Sequence, residues 1–335
     1  MRLNPAALFL LALLWLGVAA WGVLALLYFD HLPAGLRVAL ASAYAAASLA
    51  AFVGLLRAHW RTRALAAQAL LFALVLWRWE AIEPSNARDW QPEGSRLAHA
   101  TVDGDLVTFH GIRNFDYRTE TDFTPAWYDR SFDLRDLESA DLIAVYWMGP
   151  AIAHVFLTFG FRDGAHLAVS IEARKERGEG YSTVAGFFRQ YELMYVVADE
   201  RDVIRLRTNY RRDPPEEVRL YRLQGTREEL RRLFVDYVRE INALAERPQF
   251  YNSLTTNCTT NIWLHSRVNP GHLPFSWKIL ASGYVPQYLY EAGRLDTSVP
   301  FEDLQRRSIV NARAQAADRS EEFSRRIRDG ATREP

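Results

Sequence analysis

Residues 3–29 carry no charged side chain, and after a short connector residues 38–56 carry none either. A bilayer core needs roughly 20 apolar residues in a helix, so Leu3–Phe29 is long enough to span one. A secretory leader is the competing reading, but its apolar core runs to only about 7–15 residues. The second run, Val38–Leu56, is rich in Ala and Ser, which let helices approach closely in lipid. A third, Ala64–Trp77, ends at Arg78 and is short for a span, with Trp77 and Trp79 placed as interfacial anchors. Three spans are the expectation and two the alternative. The connector 57–63 holds Arg57, Arg61 and Arg63, against Asp30 and Arg37 in the first connector. The positive-inside rule, with Arg2, puts both the N-terminus and 57–63 in the cytoplasm. Three spans then carry everything after residue 80 across the membrane; two would leave it cytoplasmic.

From Glu80 onward the chain has the charge density of an ordinary globular body. Forty basic residues balance forty acidic ones, which leaves no net basic field for nucleic acid. Residues 82–98 are polar with Pro84, Pro92 and Gly94, and read as a linker. Strand-like runs follow at 105–110, 142–147, 153–159, 166–172, 193–197, 203–207 and 218–223. The Asp163-Gly164 turn joins the third and fourth of these into a hairpin. Thr226 and Glu229 make a capping box ahead of an apolar stripe running from Leu230 to Leu244, predicting a helix over 226–246. A second helix is predicted from Asn257, a good N-cap, through Leu264. The charged tail from Asn311 reads as a solvated helix or disorder. The expectation is an α+β chain in three parts: a membrane region 1–80, a domain 81–310 and a tail 311–335.

The one cysteine, Cys258, lies in the polar run Thr255-Thr256-Asn257-Cys258-Thr259-Thr260-Asn261. A structural cysteine usually sits among apolar neighbours. Here the predicted helix start places the thiol where orphan amides and the helix dipole favour a thiolate. A thiol nucleophile needs a base, usually a histidine held by a third polar group. His154, in an otherwise apolar strand, is the candidate base, and a satisfied core histidine is the alternative. Glu172 and Ser170 share one face of the next strand, and with His166 they are the choices for the third group. An ion pair with Arg174 or Lys175 is the plainer role for Glu172. Arg113, after a strand, is a candidate for a lipid head group or a structural turn. The Asp199–Asp202 acidic cluster with Arg205 and Arg207 reads as a salt-bridge network. There is no metal-ligand spacing and no Gly-rich phosphate loop, so no cofactor is expected.

The motifs at 153–161, 170–174, 199–204, 250–252 and 257–260 together resemble the Lnb-type periplasmic domain family, over roughly residues 85–270. The resemblance implies a permuted papain-like (NlpC-type) thiol enzyme, with an antiparallel sheet and a cysteine-bearing helix, in which histidine precedes cysteine in the chain. It implies Cys258 as nucleophile, His154 as base and Glu172 as the group behind the base. Asn257, Ser170, Arg174, Arg113 and Tyr251 become the substrate-binding candidates. The activity it implies is transfer of an acyl chain from a phospholipid donor to the amino-terminal cysteine of a diacylglyceryl lipoprotein. The setting it implies is a multi-pass protein of a bacterial inner membrane with its catalytic domain in the periplasm. A papain-like envelope peptidase or amidase, and a non-enzymatic membrane-tethered binding domain, are the alternatives. A lipid substrate also predicts an apolar mouth, for which Trp263, Leu273-Pro274-Phe275 and Trp277 are candidates.

Overall fold

The computed structural model describes residues 4–29 and 32–330. Arg2 and Asp30, which enter the topology argument, and the last five residues of the tail lie outside the described residues. The chain divides into two units, residues 1–85 with 181–191 and residues 86–180 with 192–335.

The first unit is helical. α1 is Pro5–Leu27, α2 Ala34–Leu56 and α3 Arg61–Glu80. Asn4 caps α1 by accepting from the Ala7 amide, and Pro5 occupies the first turn, where no amide is needed. α1 and α2 are long and apolar enough to cross a membrane. α3 falls short by that measure because Arg61, Arg63, Arg78 and Glu80 bound its apolar stretch. The small residues of the sequence do the packing expected of them. A Cβ on Gly22 would lie 2.5 Å from the Tyr44 ring, so only glycine lets α1 and α2 approach there.

This unit also contains Tyr181–Tyr191, a segment that the sequence alone places in the soluble body. Phe188 is buried here, stacked on Tyr28 at 5.6 Å and tilted against Trp21. Arg189 donates to the carbonyls of Trp79, Glu80 and Ile82 and pairs with the Glu80 carboxylate at 2.8 Å. It thereby satisfies the orphan carbonyls at the end of α3 and sets a cation against the negative pole of that helix.

The second unit is built on strands β1 His99–Asp103, β2 Leu106–Arg113, β3 Asp116–Tyr117, β4 Phe123–Thr124, β5 Trp127–Asp133, β6 Leu137–Tyr146, β7 Ala153–Phe161, β8 His166–Arg174, β9 Glu192–Ala198 and β10 Glu217–Arg222. β3 and β4 form a small separate hairpin. The others form one sheet in the order β1-β2-β9-β8-β7-β6-β10, with β5 also on β2. The expected antiparallel pairing holds except where β2 meets β9, which run parallel at Arg113 and Ala198.

Alternation along β7 separates the two faces of the sheet. On one face Phe159 meets Phe234 and Tyr237 of α5, Arg227–Glu246, whose Thr226–Glu229 capping box forms as expected. On the other face Phe156 packs with Val203 and Ile204 of α4, Glu200–Arg205, and with the C-terminal residues Val310, Ala314, Phe323 and Ile327.

Three expectations change. Residues 203–207, read as a strand from their alternating apolar and charged residues, are helical, in α4 and the wider π turn Leu206–Tyr210. Asp199 caps the start of α4 by accepting from the Arg201 amide, and that local bond prevails over the alternation. The linker reading fails from Asn86 on. Asn86 donates to the Leu244 and Ala245 carbonyls, and Trp90 is buried with the Arg174 guanidinium 4.0 Å above its ring. The tail is core rather than a solvated extension. Phe323 and Ile327 are fully buried, and Arg328 pairs with the buried carboxylates of Asp141 and Glu200 at 2.8 and 2.6 Å. Burial opposes ionisation of Glu200, yet Arg328 draws its carboxyl down to about 2. Its apolar residues are spaced among many charges, which is why composition alone read the segment as solvated. Replacing Phe323 with Ala should destabilise the full-length protein by about 3–5 kcal/mol. A denaturation midpoint unchanged from wild type would return 311–330 to a dispensable tail.

Candidate active site

The site begins where a ladder stops. β7 and β8 pair from Gly160↔His166 to Leu157↔Val169, and no further. Continuing that register by three residues sets Glu172 across from His154. On its other edge β7 stays paired with β6, with Val145 opposite His154, so the strand remains straight and anchored. Beyond Leu157 the edge of β7 toward β8 lies open, and the Val155 amide hydrogen-bonds to Cys258. Cys258 is the first residue of α6, Cys258–Ser266. Asn257 holds that helix start in a reciprocal capping box with Thr260. α6 is pinned further along by His265, whose ring bonds Tyr195 Oη at 2.6 Å and Asp236 at 2.7 Å.

His154 and Cys258 hydrogen-bond to each other. The Nε2 of His154 lies 2.7 Å from Ser170 Oγ and 3.0 Å from Glu172 Oε1. Ser170 donates its own hydroxyl proton to Glu172 at 2.7 Å, so it accepts from Nε2. The hydrogen-bond network therefore assigns the proton to Nε2 and leaves Nδ1 for the sulfur. Glu172 is held in turn by Arg207 at 3.3 Å, and Arg207 also meets Glu216 at 3.3 Å.

The electrostatics follow from this chain of partners. Burial pushes the His154 imidazolium toward losing its proton, but the charge of Glu172 prevails and raises it to about 9. Burial opposes the Glu172 carboxylate too, and His154, Arg207 and Ser170 together hold it well below the usual carboxylate range. Burial would raise the Cys258 thiol. The hydrogen bond and charge of His154, with the Val155 amide, outweigh that and lower it. The arrangement favours a thiolate–imidazolium pair, the form in which a cysteine is a nucleophile.

Of the residues picked from sequence, the structure brings together Cys258, His154, Ser170 and Glu172. The others lie elsewhere or are engaged. Asn257 spends its carboxamide on Thr260, Thr259 and the Ser253 carbonyl. Arg113 is buried in a bidentate pair with Asp202, which also accepts from the Phe115 amide and Tyr117. Arg174 is buried against Gly94, Asn86 and Trp90 and makes no ion pair with Glu172. That ion pair goes to Arg207 instead. Tyr251 is buried just before the cysteine loop. His166 sits at the closed end of the hairpin, bonded to the Gly164 carbonyl. Sequence reasoning missed Arg207 because it placed the residue on a strand. It also missed His265, seven residues after Cys258 and so on the same side of α6. Among the described residues, no cluster of His, Cys, Asp and Glu could hold a metal ion.

A cavity of about 210 Å³ reaches the neighbours of this centre in the chain. Leu142, Val155, Leu233, Ile262, Trp263 and Ile279 are among its walls. Two of its lining residues, Val155 and Thr259, adjoin His154 and Cys258 in the chain. Leu273 lines it as well, and Phe275 stands edge-on to Trp263 at 5.3 Å, so part of the segment picked as an apolar mouth borders it.

Residues 123–283 match the family described as the Lnb N-terminal periplasmic domain. The Lnb-type resemblance read from the sequence is borne out over a span that contains all four residues gathered at the site. No curated protein and no solved structure matches the chain. A periplasmic-type domain joined to two helices able to cross a membrane fits a membrane protein with a periplasmic domain.

The ion pair sets a pH dependence. The His154 pKa is raised, so the imidazolium is complete below the ordinary imidazole range and is lost as pH rises through about 9. The ring signals of His154 in NMR should titrate through about 9 in wild type, and at lower pH in Glu172→Gln, whose His154 lacks the supporting charge. In His154→Ala, only the Val155 amide is left to oppose burial of the thiol, so the pH at which iodoacetamide alkylates Cys258 should move upward. An unchanged alkylation profile would mean that no ion pair forms.

Proposed function

We propose that the protein is a membrane-anchored thiol acyltransferase with a permuted papain-like catalytic domain. It moves an acyl chain from a phospholipid to the amino-terminal cysteine of a diacylglyceryl lipoprotein. The observation that carries this reading is the apolar cavity beside a thiolate–imidazolium pair: a hydrolase of polar peptides has no use for such walls, whereas an acyl chain needs them.

The chemistry uses groups already described. The Cys258 thiolate attacks the ester carbonyl of the phospholipid, forming a C–S bond as the C–O bond breaks. The His154 imidazolium gives its proton to the departing alkoxide, and the lysophospholipid leaves. The free α-amine of the lipoprotein, whose unperturbed pKa near 8 leaves a neutral fraction at pH 7, then attacks the thioester. A C–N bond forms, the C–S bond breaks, and His154 takes the amine proton, restoring the ion pair. Ser170 and Glu172 keep Nε2 occupied throughout, so Nδ1 stays aimed at the reacting atoms. Arg207 keeps Glu172 ionised.

In this reading α3 is a third span. Its apolar stretch lies between arginines at one end and Arg78 with Glu80 at the other, and a 20-residue helix is about 30 Å long. An odd number of spans with 57–63 in the cytoplasm delivers the domain to the periplasm of a bacterial inner membrane. Donor and acceptor are both anchored in the bilayer, and anchoring the enzyme there raises its effective concentration toward each.

The test is mass spectrometry of a lipoprotein amino terminus from cells depleted of their own N-acyltransferase. Wild type should add an amide-linked acyl chain and Cys258→Ala should add none. A free amine with both proteins present in the membrane would shift the reading to an envelope hydrolase, with water as acceptor. Leu233→Trp narrows the cavity, and the chains transferred should be shorter; an unaltered chain distribution would mean that this cavity does not hold the acyl group.

A further inference from the structure

Isolated apolar side chains on a protein surface need no explanation, but a group carried on segments that meet beside a reactive centre does. Met148, Ile152, Leu254, Phe275, Trp277 and Leu280 are all exposed, from 38% for Ile152 to 68% for Met148. They come from the loop before β7, the loop before α6 and the segment 275–280, which includes the short helix Trp277–Leu280, and the structure ties these segments to one another. The loop before His154 is bound to the one after Trp277: the Gly283 amide donates to the Ala151 carbonyl, the Ala153 amide donates to Ser282 Oγ, and Tyr146 Oη donates to the Gly283 carbonyl. A Cβ on Gly283 would lie 2.0 Å from the Pro150 carbonyl oxygen, so the two loops meet at backbone contact. The start of α6 is bound to the same place, since Thr259 donates to the Ile279 carbonyl at 2.6 Å. Leu254 lies four residues before Cys258 in the loop that leads into this turn.

We infer that this rim is a lipid-facing surface that enters the outer leaflet of the bilayer and brings Cys258 to the depth of the acyl ester. The inference rests on the acyltransferase reading for its purpose, though not for its test. Three features single out a bilayer over a protein partner. The same chain carries two helices able to cross a membrane, so the domain is tethered to lipid. The rim combines Trp and Phe with aliphatic side chains, the composition of groups that settle at a membrane interface. A cation also suits a headgroup layer: exposed Arg267 lies over the Trp263 ring at 5.4 Å. Removing an ester from a phospholipid whose chains stay in the membrane requires either that the lipid rise to the enzyme or that the enzyme descend, and an apolar rim serves the second.

The experiment uses the full chain, with Cys258→Ala, in phosphatidylethanolamine–phosphatidylglycerol nanodiscs. Single nitroxide labels are attached through Met148→Cys, Ile152→Cys, Phe275→Cys, Trp277→Cys and Leu280→Cys, with Val102→Cys, exposed on β1, as the water-facing reference. Collision with lipid-soluble oxygen relative to a water-soluble nickel chelate should be several-fold higher at the rim than at Val102. Equal ratios would overturn the inference whatever the enzyme's substrate. Separately, Met148→Ser with Trp277→Ser in an otherwise native chain should raise the apparent KM for vesicle phospholipid about tenfold while leaving turnover of a water-soluble short-chain thioester unchanged. Equal loss on both substrates would make the rim structural and overturn the inference. No turnover of the soluble thioester by wild type would count against the acyltransferase reading alone, and the nitroxide ratios would still decide the rim.

Discussion

The site depends on a line of alternating charges taken out of water together. Cys258, His154, Glu172, Arg207, Glu216 and Arg211 succeed one another as anion and cation, each bonded to the next. Any one of them buried alone would cost several kcal/mol. In this order each has a neighbour of opposite sign, and one Glu172 oxygen accepts from Ser170 and Arg207 while facing the His154 imidazolium at 3.0 Å. The line also has a direction. Its far end is fixed by two arginines that cannot lose their protons, and His154 and Cys258 stand at the near end. The ordinary tasks of burying a carboxylate and of keeping a cysteine reactive are met by the same bonds.

A break in regular structure makes room for this line. Had β7 and β8 remained paired along their whole length, the Val155 amide would have been spent on a ladder bond and the sulfur would have had no place between the strands. Ending the ladder at Leu157↔Val169 frees one amide, and that amide goes to Cys258. The opposite edge of β7 stays in register with β6, so the opening costs no loss of order in His154 itself.

Local signals made much of this legible in the sequence. The capping residues Thr226 and Asn257 place α5 and α6, and the Asp163-Gly164 turn with strict alternation places His154, Ser170 and Glu172 on one face. What stayed hidden depends on distant contacts. Arg207 is separated from Glu172 by 35 residues, and its segment imitates a strand until Asp199 caps it into a helix. The tail reads as solvent-exposed because its few apolar residues, Val310, Ala314, Phe323 and Ile327, lie among arginines, and only the sheet face they cover explains their spacing. Residues 181–191 show no membrane signature at all. Phe188 and Arg189 join the helical unit through an aromatic stack and a helix-end cap, which no composition rule detects.

α6 separates a polar face from an apolar one by its pitch. Successive residues on a helix turn by about 100°, so Cys258 and Thr259 cannot face the same way. Cys258 and, two turns on, His265 face the sheet and its buried polar groups. Thr259, Ile262, Trp263 and Ser266 recur at intervals of three and four and line the cavity. The thiolate is thus kept among charges while the neighbouring wall is apolar, two environments that would conflict if one surface had to provide both.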